Sequence, residues 1–168
     1  MKILVVEDDR GTRKIVIAML RKIGLTDVIE ADRGDQAWQI LKFTPVDMVL
    51  TDWTLPGMDG LELVSQLRHS KDHRDLPILV FSSRADREDI VTALKAGIDT
   101  YLSKPFNAHQ LGDKIKSIAG KYWQRQANQV FRGRDALQKN DEYPLLIFGE
   151  PVGDAWGDEF VPQAERRS

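Results

Sequence analysis

Short apolar runs recur along the chain through residue 103, with helical segments between them. Each run is four to six residues long, which is the length of a buried β-strand. The runs are residues 3–6 (ILVV), 28–31 (VIEA), 46–51 (VDMVLT), 77–82 (PILVFS) and 100–103 (TYLS). Between them, apolar residues repeat at intervals typical of a helix, as at Ile15, Met19 and Ile23. This alternation predicts βαβ units and a parallel sheet covered by helices on both faces.

The ends of the helical segments carry residues that cap helices. Asp9 precedes the first segment, where an acid is a good N-terminal cap and complements the helix dipole. Gly24 and Gly97 each follow a helical segment, as C-terminal caps often do. A chain of 168 residues with 42% apolar composition suits one domain with an appendage.

Composition excludes several classes of function. The net charge of -2, from 24 basic and 26 acidic residues, gives no general attraction to nucleic acid or to an anionic membrane. The chain has no cysteine, which excludes disulfides, thiolate chemistry and cysteine-based zinc sites. No apolar run approaches the ~20 residues of a membrane span, and MKILVV is too short for the core of a signal peptide. We therefore expect a cytoplasmic protein with neither a nucleic-acid nor a membrane partner.

Polar side chains follow four of the apolar runs. They are Glu7 with Asp8, Asp52, Ser82 with Ser83, and Lys104. In open parallel sheets, ligands bind outside the carboxyl ends of the strands, so we expect these side chains to share one edge. The alternative is a set of solvated loop acids and ordinary surface residues. Turn chemistry at Pro56-Gly57 would account for Asp52 alone, but not for the whole set.

Such a cluster has a definite chemistry. Converging carboxylates repel one another, so either a pKa rises or a cation binds among them. Ligands that are all oxygen favour Mg²⁺, with Mn²⁺ as the alternative, over zinc. A metal, an ammonium and a hydroxyl at one edge would bind the oxygens of a phosphoryl group in transfer. One carboxylate would then be the nucleophile that forms an aspartyl phosphate.

The chain resembles the receiver domain of two-component response regulators, most closely the single-domain chemotaxis type. The resemblance covers residues 1–120 and rests on four motifs in the family's order and spacing. They are VVEDD (5–9), TDWTLPGMDGLELV (51–64), PILVFSS (77–83) and AGIDTYLSKPF (96–106). It implies a flavodoxin-like, doubly wound, five-stranded parallel sheet. The strand order 2-1-3-4-5 is carried over from the family's chemotaxis member, which is a standard example of that fold.

The resemblance also implies a phosphoacceptor and a metal site. It makes Asp52 the phosphoacceptor and Glu7 and Asp8 the acidic pair. Asp8, Asp52 and the backbone carbonyl of Thr54 would bind Mg²⁺ directly, and Glu7 would act through water. Glu7 stands where many members of the family carry Asp, and its longer side chain changes only the reach to metal-bound water.

Three further residues have implied roles in the response to phosphorylation. Ser82 matches the switch hydroxyl that moves to the phosphoryl group, and Lys104 matches the lysine that pairs with Asp52 or its phosphate. The Lys104–Pro105 peptide bond is usually cis in the family. Tyr101 matches the aromatic whose inward or outward rotamer reports the phosphorylation state, although simple core filling is an alternative for it.

The implied function is signalling and not metabolic catalysis. A sensor histidine kinase or phosphotransfer protein would phosphorylate Asp52, and the changed surface would bind a downstream protein target in chemotaxis-like or other two-component signalling. The chain would catalyse only its own aspartyl phosphorylation and dephosphorylation. Thr54 and Arg84 occupy the positions that tune phosphate lifetime in the family, and Trp53 is expected to be partly exposed.

Two other classes of protein fit less well. A haloacid-dehalogenase-type phosphatase also forms an aspartyl phosphate, but it needs a second Asp two residues after the nucleophile, and position 54 is Thr. A flavin-binding module of the same fold needs uncharged backbone amides after its first strand, where this chain has EDDRGT.

Residues 121–168 form a C-terminal extension beyond the resemblance. The spacing of Tyr122, Trp123, Gln126 and Val130 is compatible with a prolonged last helix, and residues 145–148 read LLIF. Seven basic and eight acidic residues argue against a DNA-binding arm. A partly disordered tail and an interaction arm both remain open. The arm would dock on this domain, on a second copy to form a homodimer, or on a partner's strand edge.

Overall fold

The structure is a computed structural model that describes residues 1–84 and 86–120. Five strands alternate with helices along this part of the chain. The elements are β1 (Ile3–Val6), α1 (Arg10–Lys22), β2 (Val28–Ala31), α2 (Gly34–Phe43), β3 (Met48–Asp52), α3 (Gly60–His69), β4 (Ile78–Ser82), α4 (Arg87–Ala96) and β5 (Thr100–Ser103). Residues 108–120 are helical and are called α5. The predicted extension at 121–168 lies outside the described residues.

The strands form one parallel sheet in the order β2-β1-β3-β4-β5. The predicted fold class and strand order are therefore confirmed. The register aligns the carboxyl ends, because Val6 lies beside Thr51, Asp52 beside Phe81, and Ser82 beside Ser103. Backbone hydrogen bonds continue one residue past two strands, from the Glu7 N–H to Ala31 and from the Lys104 N–H to Ser82. The residues that follow the strands are thus held in the geometry of the sheet.

The sheet is buried on both faces, and its alternate side chains belong to two separate cores. On one face, α1 and α5 contribute Val16, Ile17, Leu20, Leu111, Ile115 and Ile118. On the other face, α2, α3 and α4 contribute Ala37, Leu41, Leu63, Val64, Leu67 and Ala93. Burial on both sides explains why β1 and β4 are almost continuous apolar runs, whereas β2, at the edge of the sheet, carries the exposed Glu30.

The spacing of apolar residues identified α1 as a helix but did not identify its buried face. Ile15, at the start of the spacing pattern, is 57% exposed, whereas Val16, Ile17 and Leu20 are buried. All six residues from 15 to 20 are apolar, so several faces are equally compatible with a helical repeat. Packing against the sheet and α5 selects one of them.

The predicted helix caps are confirmed. The Asp9 carboxylate accepts a hydrogen bond of 2.7 Å from the Thr12 N–H at the start of α1. Gly97 ends α4 with φ of 102°, and Gly24 follows α1 with φ of 83°. Both values lie in the left-handed region, which favours glycine. None of the described helices has the length and apolar character that a membrane crossing requires.

A substitution at Gly60 tests how tightly α3 is packed against the end of β3. A Cβ added to Gly60 would lie 2.0 Å from the backbone oxygen of Asp52, closer than any side chain tolerates. We expect Gly60→Ala to lower the free energy of unfolding by about 1–3 kcal/mol, as overpacking does. Chemical denaturation measures this change.

Gly112→Ala is the matched control, because it adds the same methyl group to a helix. That Cβ would lie 3.5 Å from Ile23 Cδ1, which is an ordinary contact, and alanine favours a helix by up to about 1 kcal/mol over glycine. We expect this variant to be as stable as the parent chain or more stable. Equal destabilisation by both substitutions would contradict the close approach at Gly60.

Candidate functional site

The carboxyl edge of the sheet gathers the predicted site residues. Glu7 follows β1, Asp52 ends β3, Ser82 ends β4 and Lys104 follows β5. Glu7, Asp52 and Ser82 are 1%, 7% and 1% exposed, respectively, and are among the few buried polar residues of the described chain. Asp8 is exposed at the rim. The convergence inferred from the sequence is therefore present.

Lys104 links two of the strands through its ammonium group. Its Nζ atom lies 2.7 Å from Asp52 Oδ2 and 2.8 Å from Glu7 Oε2. Because β4 separates β5 from β3, the side chain crosses the end of β4, and Nζ lies 5.1 Å from the centre of the Phe81 ring. Lys104 thus neutralises part of the charge that two buried carboxylates bring to the site.

The remaining oxygen of each buried carboxylate accepts a backbone hydrogen bond. Glu7 Oε1 accepts from the Asp9 N–H at 3.1 Å, and Asp52 Oδ1 accepts from the Thr54 N–H at 3.3 Å. The same turn of chain after β1 is also fixed from α1, where Arg13 Nη1 donates to the Glu7 backbone carbonyl at 2.6 Å. These bonds orient the carboxylates before any ligand binds.

Burial and charge shift the pKa values of Glu7 and Lys104. Burial, together with the charge of Asp52, raises the pKa of the Glu7 carboxyl, although the hydrogen bond from Lys104 opposes the rise. For Lys104, burial acts to lower the pKa, but the hydrogen bonds and charges of Asp52 and Glu7 outweigh it and raise the pKa above its ordinary value. Lys104 therefore remains a cation at neutral pH.

Glu7, Asp8 and Asp52 form an acidic cluster that fits a divalent cation. One carboxylate oxygen from each residue lies within 4.8 Å of the others. The three carboxyl groups outnumber the single ammonium of Lys104, so negative charge predominates in this cleft. All three residues offer carboxylate oxygen atoms, which is the ligand type that Mg²⁺ and Mn²⁺ prefer. The role predicted for the Thr54 carbonyl stays a prediction.

Ser82 and Tyr101 are joined through the backbone of residue 84. The Arg84 N–H donates to Ser82 Oγ at 3.1 Å, and the Tyr101 hydroxyl donates to the Arg84 backbone carbonyl. The Tyr101 side chain is turned into the protein, where its residue is 9% exposed and packs with the core. Burial raises the pKa of its phenol. The residue predicted as the rotameric reporter is therefore linked to the predicted switch hydroxyl.

The expectation that Trp53 is partly exposed is wrong. Trp53 is 6% exposed, because Tyr101 packs edge-on against its ring at 6.4 Å and the Arg84 guanidinium lies 5.2 Å from the ring centre. The Arg84 guanidinium also lies 3.9 Å from the Asp89 carboxylate, so Arg84 contacts α4 as well as Trp53. Local sequence could not show this, since the covering residues are 31 and 48 positions away.

Sequence reasoning also missed Arg13. Its side chain is 15% exposed, donating to Glu7 through one nitrogen and pairing with Glu30 at 3.0 Å through another. No motif distinguishes it from the other basic residues of α1. Its contribution becomes apparent only when α1 is packed beside β1 and β2.

Comparison with known proteins identifies the family. Residues 3–116 match the family model described as the response regulator receiver domain. The chain belongs to this family. A chemotaxis protein CheY homolog of Campylobacter jejuni is 40% identical over 121 residues, covering 71% of this chain and 93% of the relative. The chemotaxis protein CheY-3 of Vibrio cholerae is 41% identical over 118 residues, covering 70% and 91%.

Solved structures of receiver domains agree with the fold. The receiver domain of a sensor histidine kinase from Pseudomonas aeruginosa has a TM-score of 0.65 and 31% identity, covering 71% of this chain and 97% of that one. That structure carries a magnesium ion in its active site cleft. A response regulator structure from Chloroflexus aurantiacus gives a TM-score of 0.66 and 32% identity over the same shares. The predicted family and its two-component signalling role are thereby confirmed.

Metal binding by this receiver domain has a direct test. Loss of a residue that only orients a metal ligand costs about 10–100-fold in affinity. We therefore expect Asp52→Asn to weaken Mg²⁺ binding by at least roughly tenfold, measured by titration calorimetry. Emission of Trp53, which adjoins Asp52, should change with Mg²⁺ in the parent chain and respond less in the variant.

Asp9→Asn is the matched control for this measurement. It removes the same charge two residues from Glu7, and asparagine caps a helix as well as aspartate does. Its Mg²⁺ affinity should stay close to that of the parent chain. Equal weakening by both substitutions would indicate a general charge effect and would contradict a site centred on Asp52.

Proposed function

We propose that Asp52 is the phosphoacceptor of this receiver domain and that Mg²⁺ supports its phosphorylation. The observation that carries the proposal is the placement of Asp52 within an acidic cluster and in contact with the Lys104 ammonium. Nucleophile, cation and metal ligands then share one cleft at the carboxyl edge of the sheet. Positioning and charge neutralisation are most of what phosphoryl transfer requires.

The donor would be a phosphohistidine on a sensor histidine kinase or phosphotransfer protein. An Asp52 carboxylate oxygen attacks phosphorus, the P–N bond breaks, and its electron pair leaves with the imidazole. The departing imidazole is neutral if its other nitrogen already carries a proton, and otherwise takes one from solvent. The products are an aspartyl phosphate and a neutral histidine. Glu7 and Lys104 set the charge of the cleft. Lys104 pairs with the Asp52 carboxylate before transfer and would pair with the phosphoryl oxygens after it.

Mg²⁺ would be held by Asp8 and Asp52, with the Thr54 carbonyl as a further ligand and Glu7 acting through water. Bound there, the ion would neutralise phosphoryl charge and orient the transferring group. Mn²⁺ satisfies the same oxygen ligands and is the alternative ion. The magnesium ion in the related receiver structure from Pseudomonas aeruginosa supports this assignment.

Ser82 and Tyr101 would convert phosphorylation into a change of surface. Movement of the Ser82 hydroxyl towards a phosphoryl group on Asp52 would alter its hydrogen bond with residue 84. The Arg84 carbonyl also holds Tyr101, so a shift of this backbone segment changes how Tyr101 packs against Trp53. The output would be a contact with a downstream protein, and the chain would catalyse only its own phosphorylation and dephosphorylation.

The biological setting is part of the same proposal. The relatives named as chemotaxis proteins support a chemotaxis-like pathway in the cytoplasm. We assign the receiver domain to residues 1–120 and treat 121–168 as a separate extension, consistent with the family match ending at residue 116. The predicted homodimer through the extension concerns residues outside the described part of the chain.

Phosphorylation by a small donor tests the proposal. Incubation with acetyl phosphate and Mg²⁺ should add one phosphoryl group that is labile to alkali and hydroxylamine, as acyl phosphates are. Asp52→Asn should abolish the added mass because it removes the nucleophile, whereas Asp9→Asn should keep it. Intact mass spectrometry follows the addition. Full labelling of the Asp52 variant, or an alkali-stable group, would show that another residue is modified.

A further inference from the structure

The exposed face of α1 is unusual among the described helices in its charge. The helix carries five basic residues and no acidic residue, whereas α2, α3, α4 and α5 each contain at least one acid. The basic residues are Arg10, Arg13, Lys14, Arg21 and Lys22. All of them except Arg13 are exposed. On a helix of 3.6 residues per turn, these four lie along one continuous face.

This basic face is not neutralised by the rest of the described chain. Among residues 1–84 and 86–120, Glu30 pairs with Arg13, and Asp9 accepts from the Thr12 N–H. Arg10, Lys14, Arg21 and Lys22 form no ion pair with any residue of that part. Ile15 lies on the same face and is 57% exposed, although it is a large apolar side chain. The face therefore combines unneutralised positive charge with an exposed apolar side chain.

The complementary chemistry occurs in the chain itself. Residues 141–160, DEYPLLIFGEPVGDAWGDEF, contain six acidic residues and no basic residue. Four apolar residues, 145–148, lie between two of the acidic groups. Basic and acidic residues are strongly separated along this part of the sequence, since residues 121–140 contain five basic residues and one acidic residue. A segment of this composition matches both the charge and the exposed isoleucine of α1.

The described chain also ends in the right place for an intrachain contact. Helix α5 lies in the same layer as α1, and a Cβ on Gly112 of α5 would lie 3.5 Å from Ile23 at the end of α1. Twenty residues separate Gly120 from Asp141. Twenty residues span at most about 70 Å when fully extended, while α1 is about 20 Å long. The acidic segment can therefore reach any point of the face.

Tethering compensates for the weakness of exposed ion pairs. Single surface pairs contribute little and are screened by salt. Two sites in one chain, however, meet at an effective concentration that reaches the order of 1 mM for short tethers, which favours a weak contact within the chain over the same contact between chains. From these observations we propose that the acidic segment 141–160 binds the basic face of α1 in the same chain. The contact does not depend on phosphorylation, so it stands or falls separately from the function proposed for Asp52.

A paramagnetic label in the full chain tests this contact. The chain has no cysteine, so Ala155→Cys provides a unique attachment site for a nitroxide. The amide signals of the exposed α1 face should be selectively attenuated and should recover when the nitroxide is reduced with ascorbate. Signals from α4, on the opposite face of the sheet, should be unaffected. Salt at about 1 M, where the Debye length is about 3 Å, should reduce the attenuation.

Charge reversal supplies the decisive variants. In Lys14→Glu with Lys22→Glu, the ratio of docked to free segment should fall by roughly two- to twentyfold. Lys71→Glu with Lys95→Glu makes the same change in net charge, and Lys22 and Lys95 both lie in the last turn of a helix. This control should keep the attenuation of α1. Loss in both double variants would show a net-charge effect and would overturn the assignment to α1.

The intrachain form of the contact has its own test. Mixing a nitroxide-labelled chain without isotope and a ¹⁵N-labelled chain without nitroxide should leave the α1 signals unattenuated. Attenuation in that mixture would show docking on a second copy and would overturn the intrachain proposal. Attenuation of any other surface, or of none within residues 1–84 and 86–120, would overturn the docking site itself.

Discussion

The site depends on one cation that lies between carboxylates from different strands. Lys104 follows β5, yet its ammonium contacts Asp52 of β3 and Glu7 beyond β1. It reaches them by crossing the end of β4 over the Phe81 ring. Two carboxylates that are almost fully buried would otherwise repel each other in a region of low dielectric constant. The Lys104 ammonium offsets part of that repulsion, and the exposed Asp8 adds a further carboxyl group that favours a divalent ion.

The parallel sheet makes this arrangement possible. Its register brings the carboxyl ends of all the contributing strands to one edge, where ligands bind in open parallel sheets. Residues of the helices then hold the backbone of the site residues in place. Arg13 of α1 holds the Glu7 backbone, and the close approach of Gly60 fixes the start of α3 against Asp52. The signal path that we propose would use the hydrogen bonds that join Ser82, the backbone of residue 84 and Tyr101.

Much of this was predictable from the sequence, for identifiable physical reasons. Short apolar runs marked the strands, and four of the five were placed within one residue, whereas β3 was shifted to Met48–Asp52. Polar residues directly after those runs then predicted the site. The features that the sequence did not predict depend on residues that are distant along the chain. Trp53 is buried by Tyr101 and Arg84, and the exposed side of Ile15 is set by packing, which a helical period among mostly apolar residues does not determine.

The most direct measurement identifies the residue that carries the phosphoryl group. Borohydride reduces an aspartyl phosphate to homoserine, so phosphorylated protein can be reduced, digested and sequenced by mass spectrometry. We expect homoserine at position 52 and unmodified residues at positions 7, 8 and 9, which share the same edge of the sheet. Homoserine at position 8 or 9 with an intact Asp52 would contradict it, because the nucleophile would then not be the carboxylate that Lys104 contacts.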